Sequence, residues 1–539
     1  MSKRSASYVH MLVTAAGTAG SRVLGLFRDQ LTAGFFGTGA VASAFILAFQ
    51  IPNLFRRLLG EGALTTALMP AMTQEQKRGG NACAFRFLNR VISRTAPWMF
   101  AITLIFILVA VAIALAPEPM LTQTAAFFNA GTDIDRHRLA AWLTALCMPY
   151  MPMICIAALF SAALNMLGKF TVTALSAVWM NLAMIFSLGV LGWYFGETPE
   201  ERVVWLCVGA LFGGALQLGI PALALYRSGW RPGIDFSTTQ AWYDLKAMFV
   251  PALIGAGVHQ LNLFATRALA FFLDDSALAV YYFANRIVEI PVGIFTVTIT
   301  TVVFPLLASC AAERKMRELG ETFSYGMRLI LAINVPATLG IIVLAQPLVR
   351  GFFQHGNFSA ADTALTVPVL YIFALAVPFY AVSGLVGRAF SSLKDTQTQM
   401  RVGMVTFVLN LILSPLLGWH FKACGLAAAN LLAAVFQCLV LLVILRRRER
   451  VFFEESLLGP IAKVLAASGA MAAATWGAWR LAVDFCNGFS WGLLAAFFIV
   501  VPVAVGFYFL LLKLLRFPEC DELIGIFLNK FLKRRKHEQ

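Results

Sequence analysis

Apolar stretches of about twenty residues, the length a helix needs to cross the hydrocarbon core of a bilayer, recur from one end of this 539-residue chain to the other. In hydrocarbon every backbone N–H and C=O must be bonded within the protein, so only helices or a closed barrel can span it. The runs are continuous rather than alternating, which selects helices. Fourteen spans are expected, at 8–36, 40–72, 90–116, 139–166, 171–195, 203–226, 247–273, 277–310, 322–348, 364–391, 401–421, 423–446, 459–483 and 489–515. The expected fold is therefore an all-α polytopic membrane protein. Its composition agrees: 60% of residues are hydrophobic and 13% charged, where a soluble chain carries about a quarter charged. No loop exceeds roughly 25 residues, so no soluble domain is inserted.

The location of the charge matters more than its total. A net charge of +15 and a pI near 9.6 would suit a nucleic-acid binder only if the chain had a water-soluble body, so nucleic acid is not expected as a partner. Of 42 Lys+Arg, 29 fall in the termini and alternate loops counted from the N-terminus, taken with the span ends that flank them, and 6 in the other loops and flanks, beside ten acidic residues. The positive-inside rule then puts both termini in the cytoplasm. Seven arginines remain in the spans away from those flanks: Arg22, Arg28, Arg56, Arg57, Arg267, Arg286 and Arg388. Only Asp29, Glu61 and Glu289 join them, a balance of +4 within the membrane.

The two halves of the chain echo one another. Phe35-Phe36 recurs as Phe271-Phe272, offset by 236, and Thr65-Thr66 with Pro70 recurs as Thr300-Thr301 with Pro305, offset by 235. Pro152 and Ala163 match Pro378 and Ala389, and Asn181 matches Asn410. Four matches in order indicate a repeat of six spans. Six is even, so the halves share one membrane orientation, as in carriers that bind substrate between repeats. The expected organisation is an N-lobe (1–235), a C-lobe (236–450), two extra spans (451–515) and a basic tail (516–539). The tail's mixture of apolar residues with Lys533-Arg534-Arg535-Lys536 suits an amphipathic helix on the anionic inner leaflet as well as an ordinary stop-transfer tail. Nine cysteines sit mostly within apolar runs, without C-x-x-C or Cys/His ligand spacing, and read as small hydrophobes.

An arginine at the bilayer centre costs roughly 2.5–3.5 kcal/mol on insertion scales. Seven facing lipid would be too costly, and they cluster on spans 1, 2, 7 and 8, the equivalent helices of the two halves. Arg28 and Arg388, near span ends, are the best candidates for snorkelling to the interface. Arg22 and Asp29 are seven apart and share a helix face, Arg57 and Glu61 are at i,i+4, and Arg286 and Glu289 at i,i+3. Pro52-Asn53, Gly60, Gly62 and Pro291 are placed to bend these helices. Surplus guanidinium in a dry cavity suits an anion, phosphate and pyrophosphate above all, through bidentate N–H···O pairs. His259 is either cavity-lining or a bonded interior histidine. The Gly209/Gly213 pair reads as close helix packing. No Walker A sequence is present, and no clustered carboxylates or nucleophile point to an enzyme.

Ser21-Arg22-Val23-Leu24-Gly25 with Arg28-Asp29, then Ile51-Pro52-Asn53-Leu54-Phe55-Arg56-Arg57 and Glu61-Gly62, resemble the bacterial lipid II flippase MurJ (MviN) family of the multidrug/oligosaccharidyl-lipid/polysaccharide exporter superfamily. Tyr282-Phe283-Ala284-Asn285-Arg286, Glu289-Ile290-Pro291 with Gly293, and Phe353-Gln354-His355-Gly356-Asn357-Phe358 extend the resemblance over nearly the whole chain. It implies two six-helix lobes around a central cavity, and translocation of an undecaprenyl-diphosphate-linked peptidoglycan precursor to the outer leaflet. Arg22, Arg28, Arg56 and Arg286 would hold the diphosphate and sugar, with Asp29, Arg57, Glu61 and Glu289 as gating or charge partners. Asn53, Ser43, Asn285, Arg267 and His259 are candidate cavity-lining residues, and spans 13 and 14 a groove for the prenyl tail.

Departures from the family pattern are specific. Ser43-Ala44-Phe45 stands where many members have Asp-Ala-Phe, and Asn285-Arg286 where they have Asp-Arg. The sodium site of part of the family is depleted: Thr266 and Ser414 stand where carboxylates are expected, leaving Asn410 and Asn430, so these four are weak sodium candidates and no other cofactor is expected. The resemblance implies a monomer in the cytoplasmic (inner) membrane, with lipid II or a similar lipid-linked glycan and membrane lipids as partners. Cell-wall synthesis machinery is a further candidate. The alternative cargo is an O-antigen or capsule repeat unit on the same lipid carrier. Cationic drugs are disfavoured, because they require buried carboxylates rather than a +4 interior.

Overall fold

The computed structural model describes residues 3–119, 134–291, 297–453, 457–486, 490–523 and 525. The described residues form helices joined by short turns, with no strand among them, so the all-α expectation holds. Every expected span overlaps a helical stretch, among them Lys3–Phe36, Ala40–Phe55, Pro199–Tyr226, Ala360–Ser392 and Leu458–Cys486. Among the described residues, nine helices are long and apolar enough to cross a membrane by length and composition. Two helical runs continue through an expected loop: Leu64–Ala114 turns at Gly79-Gly80, and Thr396–Arg448 at Lys422, where φ is +49°.

Local chemistry sets the helix ends. Pro199 begins Pro199–Tyr226, while Thr198 accepts from the Glu201 amide and Glu201 reaches back to the Thr198 amide, a complete capping box. Asp395 caps Thr396–Arg448 through the Thr398 amide (3.1 Å) and hydroxyl (2.7 Å), and it also pairs with Arg448. The Thr398 bonds, and then the Arg448 charge, hold the Asp395 carboxyl below the usual carboxylate range. Because this pKa is depressed, the stability it adds is present at neutral pH and fades as pH falls through the folded-state value. Asp395→Ala is expected to cost about 1 kcal/mol, read as a lower melting temperature in detergent at pH 7 and little difference in acid.

The chain divides into two compact units. The first comprises Met1–Val280 and Phe353–Asp362; the second comprises Tyr281–Phe352 and Thr363–Gln539. In the first, the helix Gln240–Leu273 lies against Ala40–Phe55, the wide π-helical turn Arg56–Ala63 and Leu64–Ala114. A Cβ on Gly209 or Gly213 would fall 2.6 Å from the Ser187 side chain or 2.9 Å from Met180 Cα, so the GxxxG pair serves close helix packing. Tyr150, fully buried, donates to Gln217 (3.1 Å), whose amide donates to the Ser176 carbonyl (3.0 Å).

In the second unit Phe323, Phe390, Phe452 and Leu445 form a core that also takes in Phe517, Cys520 and Leu523. The start of the C-terminal tail is therefore docked on protein: Arg328 holds Glu519 at 2.5 Å, and the Tyr325 hydroxyl donates to Glu522 at 2.6 Å. The basic cluster Lys533–Lys536 lies outside the described residues.

Candidate functional site

Arg28 and Asp29 are adjacent on the helix Lys3–Phe36. The Arg28 guanidinium grips Asp29 Oδ1 through Nη2 at 2.7 Å and Nε at 3.1 Å, while Nη1 donates to Asn181 at 3.2 Å. Asn181 is itself fixed, its amide donating to the carbonyls of Ser21 (3.1 Å) and Ala177 (3.0 Å). Asp29 is nearly fully buried, so an unpaired carboxylate there would be expensive and the neighbouring guanidinium offsets the cost. Arg28 is thus anchored at a fixed place. Asp29, expected opposite Arg22, pairs instead with Arg28, because a long guanidinium can fold back to the next residue and reach a carboxylate buried with it. Arg22 is exposed and makes no hydrogen bond or ion pair among the described residues. Asn181 was legible only as a repeat marker; its match to Asn410 carried no hint of a bond to Arg28.

The sequence Pro52-Asn53 to Gly62 produces a π-helical turn over Arg56–Ala63 instead of a simple bend. Two glycines and a proline weaken the ordinary i→i−4 ladder, and such wide turns recur at functional sites. Asn53 accepts from Arg56 Nε at 2.7 Å, fixing the guanidinium at the entry to the turn. Arg57 is half-buried. The side chains of Glu61 and His259 lie outside the described residues.

On the second unit, Glu289 gathers two donors: Arg286 Nη1 at 3.1 Å and the Asn285 amide at 2.8 Å. Asn285, the residue preceding Arg286, thus donates to the acid. Arg267 is buried in the first unit, its Nη1 donating to Gln50 at 2.5 Å. Arg388 is exposed, its guanidinium 5.2 Å from the Phe304 ring centre.

Arg136 departs most from expectation. Counted among loop charges, it lies in the helix Ile134–Cys147 with a fully buried side chain, 2.5 Å from Asp275 and with its guanidinium carbon 4.6 Å from the Phe271 ring centre. Ser43, fully buried, donates to the Asp275 carbonyl at 2.6 Å, and the His137 ring lies 5.4 Å from Phe271 and 5.9 Å from Phe272. Asp275 thus joins three segments of the first unit. The recurring Phe-Phe pair was the signal pointing here, but spacing cannot reveal an arginine brought from another helix.

The weak sodium candidates are engaged with protein. Asn430 donates to Tyr281 (2.8 Å) and accepts from Tyr380 (3.1 Å), Ser414 donates to Asn410 (3.4 Å), and Thr266 donates to the Asn262 carbonyl (3.0 Å). Thr266 belongs to the first unit and the other three to the second. The set contains no carboxylate, and a hard cation seeks several free oxygens, so these residues fit sodium poorly.

Residues 32–495 match the family model described as lipid II flippase MurJ. The chain belongs to the lipid II flippase MurJ family. Relatives named probable lipid II flippase MurJ include proteins of Haemophilus influenzae (30% identity over 85% of this chain and 89% of that one) and Vibrio cholerae (29%, 78% and 80%). A solved lipid II flippase MurJ in an inward closed conformation superposes with a TM-score of 0.75 at 23% identity, covering 93% of this chain and 99% of that one. A multidrug resistance MATE family transporter in an inward-facing conformation gives 0.60 at 14% identity, covering 80% and 96%. These two likenesses speak for the fold alone. Membership in the MurJ family, with the long apolar helices, makes this a multi-pass bacterial inner-membrane transporter and not an enzyme.

Proposed function

We propose that the chain flips lipid II, an undecaprenyl-diphosphate-linked peptidoglycan precursor, from the inner to the outer leaflet by alternating access. The observation that carries this reading is the match to the lipid II flippase MurJ model over 32–495. The diphosphate is held by Arg22, Arg28, Arg56 and Arg286, with Asp29, Glu61 and Glu289 as acidic charge partners when cargo is absent and Arg57 as a gating partner of Glu61. Supporting this, Asn181 and Asn53 accept from the Arg28 and Arg56 guanidiniums and fix their positions. Asp29 and Glu289 each bond one arginine and leave Arg22 to the anion. Neutralisation of these guanidiniums by the diphosphate lets the lobes, 1–235 and 236–450 in the repeat, close and reopen outward. Membrane potential acts on the same charges.

Spans 13 and 14, 451–515 with their flanks, take the prenyl tail. In support, an apolar cavity of about 270 Å³ lies in the second unit between Ile333, Pro336 and Ile341 on one side and Met471, Val501 and Tyr508 on the other. Both termini face the cytoplasm in this reading, and the protein works as a monomer. The test is complementation of cells depleted of their own lipid II flippase, scored by surface-accessible lipid II. Restored exposure is expected. Failure, with rescue of an O-antigen export defect, would reassign the cargo to another glycan on the same carrier.

A further inference from the structure

We propose that the motif Phe353–Asp362 is a releasable clasp on the end of the first helix, gating the periplasmic side of the flippase. It rests on the topology and cargo given under the proposed function. The last turn of Lys3–Phe36 leaves backbone carbonyls without helical donors, and this distant segment supplies them. The Asn357 amide donates to the Gly34 carbonyl at 2.7 Å, and its side-chain amide to the Phe35 carbonyl at 2.7 Å. His355 Nε2 lies 3.0 Å from the Gln30 carbonyl. One Asp362 oxygen accepts from Thr38, while the other accepts from the Ser359 amide (2.7 Å) and hydroxyl (2.9 Å), capping the helix Ala360–Ser392.

The approach is built for closeness. A Cβ on Gly356 would fall 2.3 Å from the Gly34 carbonyl oxygen, one on Gly34 2.7 Å from the His355 ring, and one on Gly37 2.7 Å from the Asn357 carbonyl oxygen. Gly37 and Gly356 both have φ near +59°, which also favours glycine. Phe353 and Phe358, fully buried, anchor the segment. These ten residues belong to the first unit, yet the chain on both sides of them, 281–352 and 363 onward, belongs to the second.

His355, Gly356 and Asn357 are exposed, so water can replace each bond as the clasp opens, and the net loss per bond is small. That suits a latch better than a permanent joint. The same helix carries Arg22 and Arg28, so cargo captured there and the clasp act on one rod.

The test uses the full-length protein in cells. Thr38→Cys with Asp362→Cys, joined by a short, membrane-impermeant, reducible bis-thiosulfonate, is expected to lose surface exposure of lipid II at least tenfold and regain it on reduction. Wild type and each single variant under the same reagent should be unaffected. Independently, Thr38→Cys alone, buried at a native position, is expected to react with an impermeant maleimide at least threefold faster when Asn357→Ala is added. Flipping by the linked protein at the unlinked rate, or labelling indifferent to Asn357→Ala, would overturn the clasp. If labelling responds while the inserted, reduced protein exposes no lipid II, the clasp stands and the cargo assignment fails.

Discussion

Arg22→Ala and Arg286→Ala are each expected to cut lipid II flipping in depleted cells by roughly one to two orders of magnitude while the protein inserts at normal levels. The separation of the two effects follows from the geometry. Arg22 is exposed and without a hydrogen bond or ion pair among the described residues, so its loss leaves no buried partner stranded. Arg286 and Glu289 form an i,i+3 pair whose side chains are both partly exposed, worth at most about 1 kcal/mol to folding. Toward a diphosphate each guanidinium supplies a charge-assisted hydrogen bond of about 1.5–3 kcal/mol, or roughly a 10- to 150-fold loss of transport per arginine. Lysine at Arg286 keeps the charge but loses the planar fork, so Arg286→Lys should fall between wild type and alanine. The readout is surface-accessible lipid II against membrane-fraction protein. Full transport by both alanine variants would sink the arginine assignment.

Asp275→Ala is expected to destabilise the protein by about 2–4 kcal/mol. Removing one partner of a buried pair typically costs about 3–5 kcal/mol because the other charge is left uncompensated. Two features lower that here: the Asp275 side chain is about half exposed (55%), and the Phe271 ring still faces the Arg136 guanidinium. The Ser43 bond survives the substitution, since it goes to the Asp275 backbone carbonyl. Adding Arg136→Leu should recover much of the loss, because a buried ion pair replaced by apolar groups is often neutral. Thermal unfolding in detergent, on single and double variants, checks this. An unchanged melting temperature for Asp275→Ala would mean that water already solvates Arg136.

The arginine positions were readable as unusual because hydrocarbon makes charge costly, and that penalty acts residue by residue along the chain. Their partners were not readable in the same way. Spacing offered Asp29 to Arg22, seven residues apart on one face, but Arg28 lies next to Asp29 and its guanidinium folds onto the same buried oxygen. Arg286 and Glu289 pair as their spacing suggested, since a one-turn separation leaves little choice. Arg136 read as a loop charge because it precedes the apolar run, and its burial depends on Phe271, from the helix Gln240–Leu273, and Asp275, from the turn after it. The tail read either as an amphipathic helix or as a stop-transfer tail; its first residues, Phe517, Cys520 and Leu523, join the second unit's core, with Glu519 on Arg328.

Alone, the sequence determined that this is a helical membrane protein with surplus arginine in its spans, because span length and charge cost are local properties. Its resemblance in spans 1, 2 and 8 also indicated the family to which it belongs. Only the tertiary structure decided which acid answers which arginine, that Asn181 and Asn53 hold two of the guanidiniums, and that residues 353–362 cap a helix more than three hundred positions away. Those outcomes depend on distances between segments far apart in the chain, on which periodicity and composition carry no information.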